Sequence, residues 1–274
     1  MTSLPTIAPA DRGVIYVAVG TRYLDESVFS AASLRKTNPG LPVYLLTDTP
    51  LEDTGRWDKV IHLDATLPGS AMKLHMDQAP WARCLFIDSD TMVIGSLDPL
   101  FTLLDRFELA AMQHSGGGHY TIAGLPGSFP EFNSGVIAWR RSDRTSAFFA
   151  RWRELYAQML EPTGRTWDQK SFRVALYESD LRIISIPHGY NLMTYFPSVV
   201  EGHAVILHGR NTDNLRRLAA RIAQSTMLRA YVPGVGVMHH PKDMPWRDLL
   251  RAIFRMIAWR VRARCFNAKN PTTQ

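Results

Sequence analysis

The triplet Asp88-Ser89-Asp90 follows the apolar run Cys84-Leu85-Phe86-Ile87. That run reads as a buried strand that stops at two carboxylates. In an extended chain, residues i and i+2 point to the same side, roughly 6.6 Å apart. Two hard oxygen ligands placed so can hold one divalent cation, directly and through water. A cation held there can bind a diphosphate, so the expected chemistry is metal-dependent and acts on a nucleotide-activated substrate. A D-x-D triplet also has a plainer reading, because Asp and Ser commonly form turns after strands. The elements around the triplet therefore carry the argument.

Val14 to Val19 is a continuous apolar run that Gly20-Thr21 ends, and it reads as a buried strand. Leu24 to Lys36 has helical spacing and is broken by Pro39-Gly40. Val43 to Leu46 is a second strand, ending at Thr47-Asp48, and Val60 to Leu63 a third. Ala71 to Gln78 reads as a short helix before the strand into Asp88. This strand–helix–strand alternation predicts a mainly parallel sheet flanked by helices. Ligands in such sheets sit at the carboxyl ends of strands, which puts Gly20, Asp48 and Asp88 on one rim. Further on, Leu109 to Met112 is a short strand, and Phe132 to Trp139 a turn entering a strand. Between them lie a Gly/Pro-rich stretch at Ser115 to Gly118 and another at Gly124 to Pro130. Such loops grip substrates or are simply surface loops. Thr145 to Leu160 and the segment opened by Trp167-Asp168-Gln169 read as helices. Leu181 to Pro187 reads as an edge strand, and Ala204 to Gly209 as a last strand ending at His208.

Read by residue type alone, His208 is a potential ligand at a strand end or a structural histidine, Lys73 a solvated helix lysine, Asp168 a helix N-cap and Asn133 a turn former before Gly135.

The set of segments resembles the GT-A glycosyltransferases, closest in pattern to the retaining family-eight group. The resemblance covers about residues 14–210. It rests on the first strand through Thr21, the Lys73 helix, Leu85 to Thr91, Phe132-Asn133-Ser134-Gly135-Val136, Trp167-Asp168-Gln169 and Val205-Ile206-Leu207-His208-Gly209. It implies a GT-A, Rossmann-like α/β fold with a mainly parallel mixed sheet. It further implies Mn²⁺ or Mg²⁺ held by Asp88, Asp90 and His208, with Ser89 beside them. The nucleobase would lie along the backbone of Ala18, Val19, Gly20 and Thr21. Lys73 would neutralise the diphosphate or touch the sugar, and Gly209 would belong to the donor-binding set. Asn133 would bind the donor sugar or position the acceptor, and Asp168 and Gln169 would line the donor sugar and the reacting face. After His208 the chain departs from that group, where a lysine and a Pro-Trp pair normally follow. Here Gly209-Arg210-Asn211 follows, Lys242 and Pro245-Trp246 lie far downstream, and Arg210 is the cation left for the diphosphate. The implied reaction is hexosyl transfer from a nucleoside-diphosphate sugar, by resemblance a UDP-sugar, to a glycan or glycolipid acceptor with retention. Two other readings stand beside it. One is a D-x-D phosphatase, whose Thr four places after the first Asp is here Met92. The other is a sugar-nucleotide-binding module without turnover.

Bulk properties bound the rest. The chain has 274 residues, 46% of them apolar. No linker or repeat is evident, so one catalytic domain over 14–212 and a helical extension over 213–274 are expected. That extension carries twelve Lys or Arg against three Asp, while the whole chain is +6. The first 212 residues are thus slightly acidic. Trp246, Leu249, Leu250, Ile253, Phe254, Ile257 and Val261 form one helical stripe, with Arg247, Arg251, Arg255 and Arg262 on another face. This suits a helix lying on an anionic membrane, or packed on the body or a second subunit. Nucleic acid is not expected as a partner. Cys84 and Cys265 make no disulfide framework, Met1 to Gly13 has no signal-peptide pattern, and no run of 18 uncharged apolar residues occurs. The expected location is cytoplasmic, either soluble or peripheral on the inner membrane face.

Overall fold

The computed structural model describes residues 11–51, 55–63, 72–114, 121–160 and 168–239, together with 250, 253, 254, 257 and 258. Its centre is a seven-stranded sheet of order β3-β2-β1-β4-β7-β6-β8. The strands are β1 (Arg12–Ala18), β2 (Val43–Thr47), β3 (Lys59–His62), β4 (Arg83–Ile87), β6 (Leu109–Gln113), β7 (Phe132–Arg140) and β8 (Ile183–Ser185). β1, β2, β3 and β4 run parallel, and only β7 runs antiparallel to its neighbours β4 and β6. The apolar runs become central strands because both faces of the sheet are covered. Val14, Tyr16, Leu85 and Ile87 belong to one core cluster, while Ile15, Cys84 and Phe86 belong to the other.

Helix α1 (Thr21–Thr37) and the short helix α2 (Asp98–Leu103) cover the first face. Gly20 precedes α1 at φ 83°, a left-handed conformation that glycine adopts without a Cβ penalty. The far end of α1 is pinned by Asn38, whose Nδ2 donates to Gly95 O (3.0 Å) and whose Oδ1 accepts from Leu97 N (2.8 Å). Helices α3 (Asp143–Gln158) and α4 (Asp168–Glu178) cover the second face. Ser142 and Thr145 form a reciprocal capping box at the start of α3. Trp152, fully buried, stacks its ring 4.5 Å from Phe172 of α4.

Two small sheets accompany the central one among the described residues. One joins β5 (Thr91–Val93), β11 (Ile206–His208) and β9 (Leu192–Met193), in the order β5-β11-β9. The other joins β10 (Ser198–Val200), β12 (Arg229–Val232) and β13 (Gly236–His239). Strands therefore follow the expected last one, and the segment after 213 is not helical throughout. It holds helix α5 (Thr212–Ile222) and then the β12–β13 hairpin. Leu215, Leu218, Ile222 and Tyr231 share a cluster with Leu192, Val200 and Leu207. Residues on both sides of 212 thus bury one core, because β10 pairs with β12. The expected short helix before β4 is a 3-10 helix at Lys73–Gln78.

Of the C-terminal stripe, Leu250, Ile253, Phe254 and Ile257 are helical and exposed, Phe254 by 71%. Its arginines, Lys242, Pro245-Trp246, Trp167 and Ser115 to Gly118 lie outside the described residues. Among the described residues no helix is long and apolar enough to cross a membrane.

Candidate functional site

Parallel pairing of β1 with β2 and β4 brings their carboxyl ends to one rim. Gly20 N donates to Asp48 Oδ1 at 2.8 Å and ties two of those ends together. Ala18 closes β1, Val19 and Gly20 follow it, and Thr21 opens α1. Beyond β4 the chain does not stay extended as the triplet's spacing suggests. Ser89 and Asp90 form a turn, and Thr91 Oγ1 donates to Asp88 O at 2.9 Å. The turn leads into β5, and β5 pairs antiparallel with β11 so that Thr91 faces His208. Gly209 N then donates to Asp90 O at 2.7 Å.

Asp88, Asp90 and His208 consequently converge, with one ligand atom of each within 4.8 Å of the others. His208 Nε2 is 3.2 Å from Asp90 Oδ1 and 3.8 Å from Asp88 Oδ2. Two oxygen donors and one imidazole form a donor set for a divalent cation. Burial pushes the Asp88 carboxyl up, although Lys73 and His208 pull the other way. A bound cation would relieve that penalty. Burial also opposes the charge on Asp90, yet His208 and Arg210 hold its carboxyl down at about 2. Burial would lower His208, and Asp90 and Asp88 outweigh it, so the imidazole is raised. The donor set and its charge fit a divalent cation.

Lys73 is largely buried rather than solvated. Its Nζ is 2.7 Å from Asp168 Oδ2, 3.9 Å from Asp88 Oδ2, and donates to Ser134 Oγ at 3.0 Å. Burial would lower its pKa, but Asp168, Asp88 and Asp90 outweigh that and raise it. Ser134 Oγ also donates to Asp168, so that carboxylate is committed to side chains of the site. Gln169 Nε2 donates to Glu131 Oε1 at 3.2 Å. Arg210 reaches Asp90 Oδ2 at 3.7 Å and Glu26 Oε1 at 3.6 Å, and lies over the Tyr23 ring. Ser89 Oγ donates to Glu26 Oε2 at 3.4 Å. A polar cavity of ≈ 500 Å³ opens beside Arg210, lined by Thr194, Tyr195, Asn211, Thr212 and Asn214.

Asn133 is buried behind the cluster. Its Oδ1 accepts from Gly135 N (2.9 Å) and from Asn191 Nδ2 (2.7 Å). Gly135 has no room for a side chain, because a Cβ there would fall on the His208 ring and 2.9 Å from Asp88 Oδ2. Sequence reading left Glu26, Glu131, Ser134 and Asn191 unassigned. Asn191 stands between Tyr190 and the apolar pair Leu192-Met193, a two-residue strand too short to show any periodicity.

No protein-family model and no curated protein matches the chain. Solved structures do. The glycosyltransferase GlyE of Streptococcus pneumoniae TIGR4 aligns with a TM-score of 0.54 at 20% identity, over 78% of this chain and 61% of that one. The chain therefore spans less than two thirds of the GlyE chain's length. The galactosyltransferase LgtC, solved in complex with donor and acceptor sugar analogs, aligns with a TM-score of 0.53 at 15% identity. That match covers 78% of this chain and 97% of LgtC. At such identities the likeness is one of architecture, and this chain has the GT-A glycosyltransferase fold.

Proposed function

We propose that the chain is a metal-dependent glycosyltransferase that moves a sugar from a nucleoside-diphosphate sugar, by preference a UDP-sugar, to a glycan or lipid-linked acceptor with retention. The observation that carries this reading is the convergence of Asp88, Asp90 and His208 at the carboxyl-end rim, with Lys73 and Asp168 next to it. Asp88, Asp90 and His208 would hold the Mn²⁺ or Mg²⁺ ion. When bound, that ion supplies Lewis-acid stabilisation to the departing diphosphate.

The chain's own residues do the remaining work. The backbone of Ala18, Val19, Gly20 and Thr21 receives the nucleobase. Lys73, Ser89, Gly209 and Arg210 surround the diphosphate, where the cations of Lys73 and Arg210 meet developing negative charge. Asp168 and Gln169 face the sugar as it becomes oxocarbenium-like, and Asn133 supports the same wall from behind. The anomeric carbon–diphosphate bond breaks, and the acceptor hydroxyl oxygen bonds to that carbon. The hydroxyl proton passes to a departing phosphate oxygen. A cavity of ≈ 440 Å³ lined by Gln113, His114, Ser185, Pro187 and His188 opens at the ends of β6 and β8 and offers polar groups for an acceptor. The exposed Leu250, Ile253, Phe254 and Ile257 support peripheral contact with an anionic membrane, where a lipid-linked acceptor would lie.

The test is a thermal-shift titration with UDP-, GDP- and other nucleotide sugars, with and without Mn²⁺. A ligand that binds the native state raises the melting temperature by mass action. One donor stabilising only with metal supports the reading and names the donor. No shift with any donor sinks it and turns attention to phosphatase substrates.

A further inference from the structure

We propose that Asn191 is a positioning residue that fixes His208 in one tautomer, with Nδ1 protonated and the Nε2 lone pair facing Asp88 and Asp90. The inference rests on the metal-site reading and deepens it.

The deduction starts from a backbone group whose polarity is not in question. Gly135 N–H can only donate, and it meets the side chain of Asn133 at 2.9 Å. The Asn133 atom there must be the carboxamide oxygen. The same oxygen lies 2.7 Å from Asn191, so the Asn191 atom facing it must be the NH₂ group. The other end of the Asn191 amide is then its oxygen, 2.8 Å from His208 Nδ1. An amide oxygen only accepts, so Nδ1 carries the proton. In the neutral ring the second nitrogen is then the free donor atom, 3.2 Å from Asp90 Oδ1 and 3.8 Å from Asp88 Oδ2, whereas in the imidazolium it donates to Asp90. Each link is buried: Asn191 is fully buried, and Asn133 and His208 are 4% and 6% exposed. Water therefore does not compete for these groups. A metal-bound imidazole needs its other nitrogen held by an acceptor, which sets both tautomer and ring angle. Asn191 supplies that acceptor, and Gly135 supplies the reference that orients it. The relay also explains why Asn133 stands beside a glycine: the same glycine leaves space for the ring.

The experiment reads the tautomer directly. Two-bond ¹H–¹⁵N correlation spectra of the full metal-free chain are recorded in alkaline buffer, with His208 assigned through His208→Gln. Mn²⁺ alone is then titrated by calorimetry. The wild type is expected to show only the Nδ1–H form. Asn191→Ala is expected to populate the Nε2–H form and weaken Mn²⁺ by roughly 10–100-fold, the usual cost of losing such a partner. Asn133→Asp keeps an oxygen facing both donors and is expected to retain the Nδ1–H form. An Nε2–H wild type overturns the proposal, and that result needs no variant to fold. Unchanged tautomer and Mn²⁺ affinity in Asn191→Ala overturn it as well. Failure of the wild type to bind Mn²⁺ overturns the metal reading instead, while the spectra still decide the tautomer.

Discussion

Thr91 and His208 are direct register partners across the β5–β11 pair. Thr91 follows Asp90, so this pairing sets the imidazole beside a carboxylate 118 positions earlier in the chain. The small sheet is therefore the device that assembles the site. Three bonds lock it: Gly209 N to Asp90 O, Thr194 N to His208 O, and Thr91 Oγ1 to Asp88 O.

Asp90→Ala is expected to lower metal-dependent turnover by about 10³-fold, since the ion is worth several kcal/mol of transition-state stabilisation. It should also abolish the Mn²⁺-dependent part of the thermal shift. Its folding should be intact by circular dichroism, because Asp90 sits in a turn rather than the core. Normal activity in that variant would remove the metal assignment.

Gly135→Ala is expected to weaken Mn²⁺ binding and cost about 1–3 kcal/mol of stability, the usual range for overpacking. The added methyl meets the His208 ring and Asp88. Wild-type Mn²⁺ affinity in this variant, measured by calorimetry, would show that the ring has room to move.

Lys73→Met leaves Asp168 and Asp88 facing each other without a buried cation. A loss of about 3–5 kcal/mol is expected, as for a broken buried pair. Lys73→Met with Asp168→Asn should recover part of that stability and none of the turnover. A double-mutant cycle from urea melts and rates separates the two roles.

Cys84 gives a pH signature away from the site. The thiol is fully buried and donates to Trp81 O at 3.0 Å. Burial raises its pKa from 9.0 to about 12. Between those values the unfolded chain loses the proton and the folded chain keeps it. Stability must therefore fall as pH rises, by about 1.4 kcal/mol per unit from this group. Cys84→Ala should flatten that slope in urea melts across this range. Burial also raises Tyr16, which adds a second downward component above pH 10. An unchanged slope would show that the thiol does not resist ionisation.

Truncation after His239 keeps the β12–β13 hairpin, which an earlier cut at Gly234 would break. It is expected to reduce co-sedimentation with anionic vesicles while leaving turnover on a soluble acceptor near normal. Equal partitioning of the two forms would remove the membrane reading.

The local record in the chain sufficed for much of this. Apolar runs at 14–19, 43–46 and 84–87 form strands because both sides of each can be buried, and burial is legible residue by residue. Gly20, Asp48 and Asp88 fall on one rim because parallel strands put like ends together. The short strands β5, β9 and β10 were not legible. Two or three residues carry no periodicity, and their hydrogen bonds go to partners distant in sequence. The turn at Ser89-Asp90 was hidden for a related reason, since β11 draws the chain away from β4 only once the sheet exists. Residue types alone offered Asp88, Asp90 and His208 as candidate ligands, because carboxylate and imidazole chemistry is local to each side chain, and the resemblance of the surrounding segments joined them into one set. That Lys73 is buried against Asp168, and that Asn191 stands behind His208, was decided only by tertiary packing. Contacts between residues 95 or 17 positions apart leave no spacing for a sequence to display.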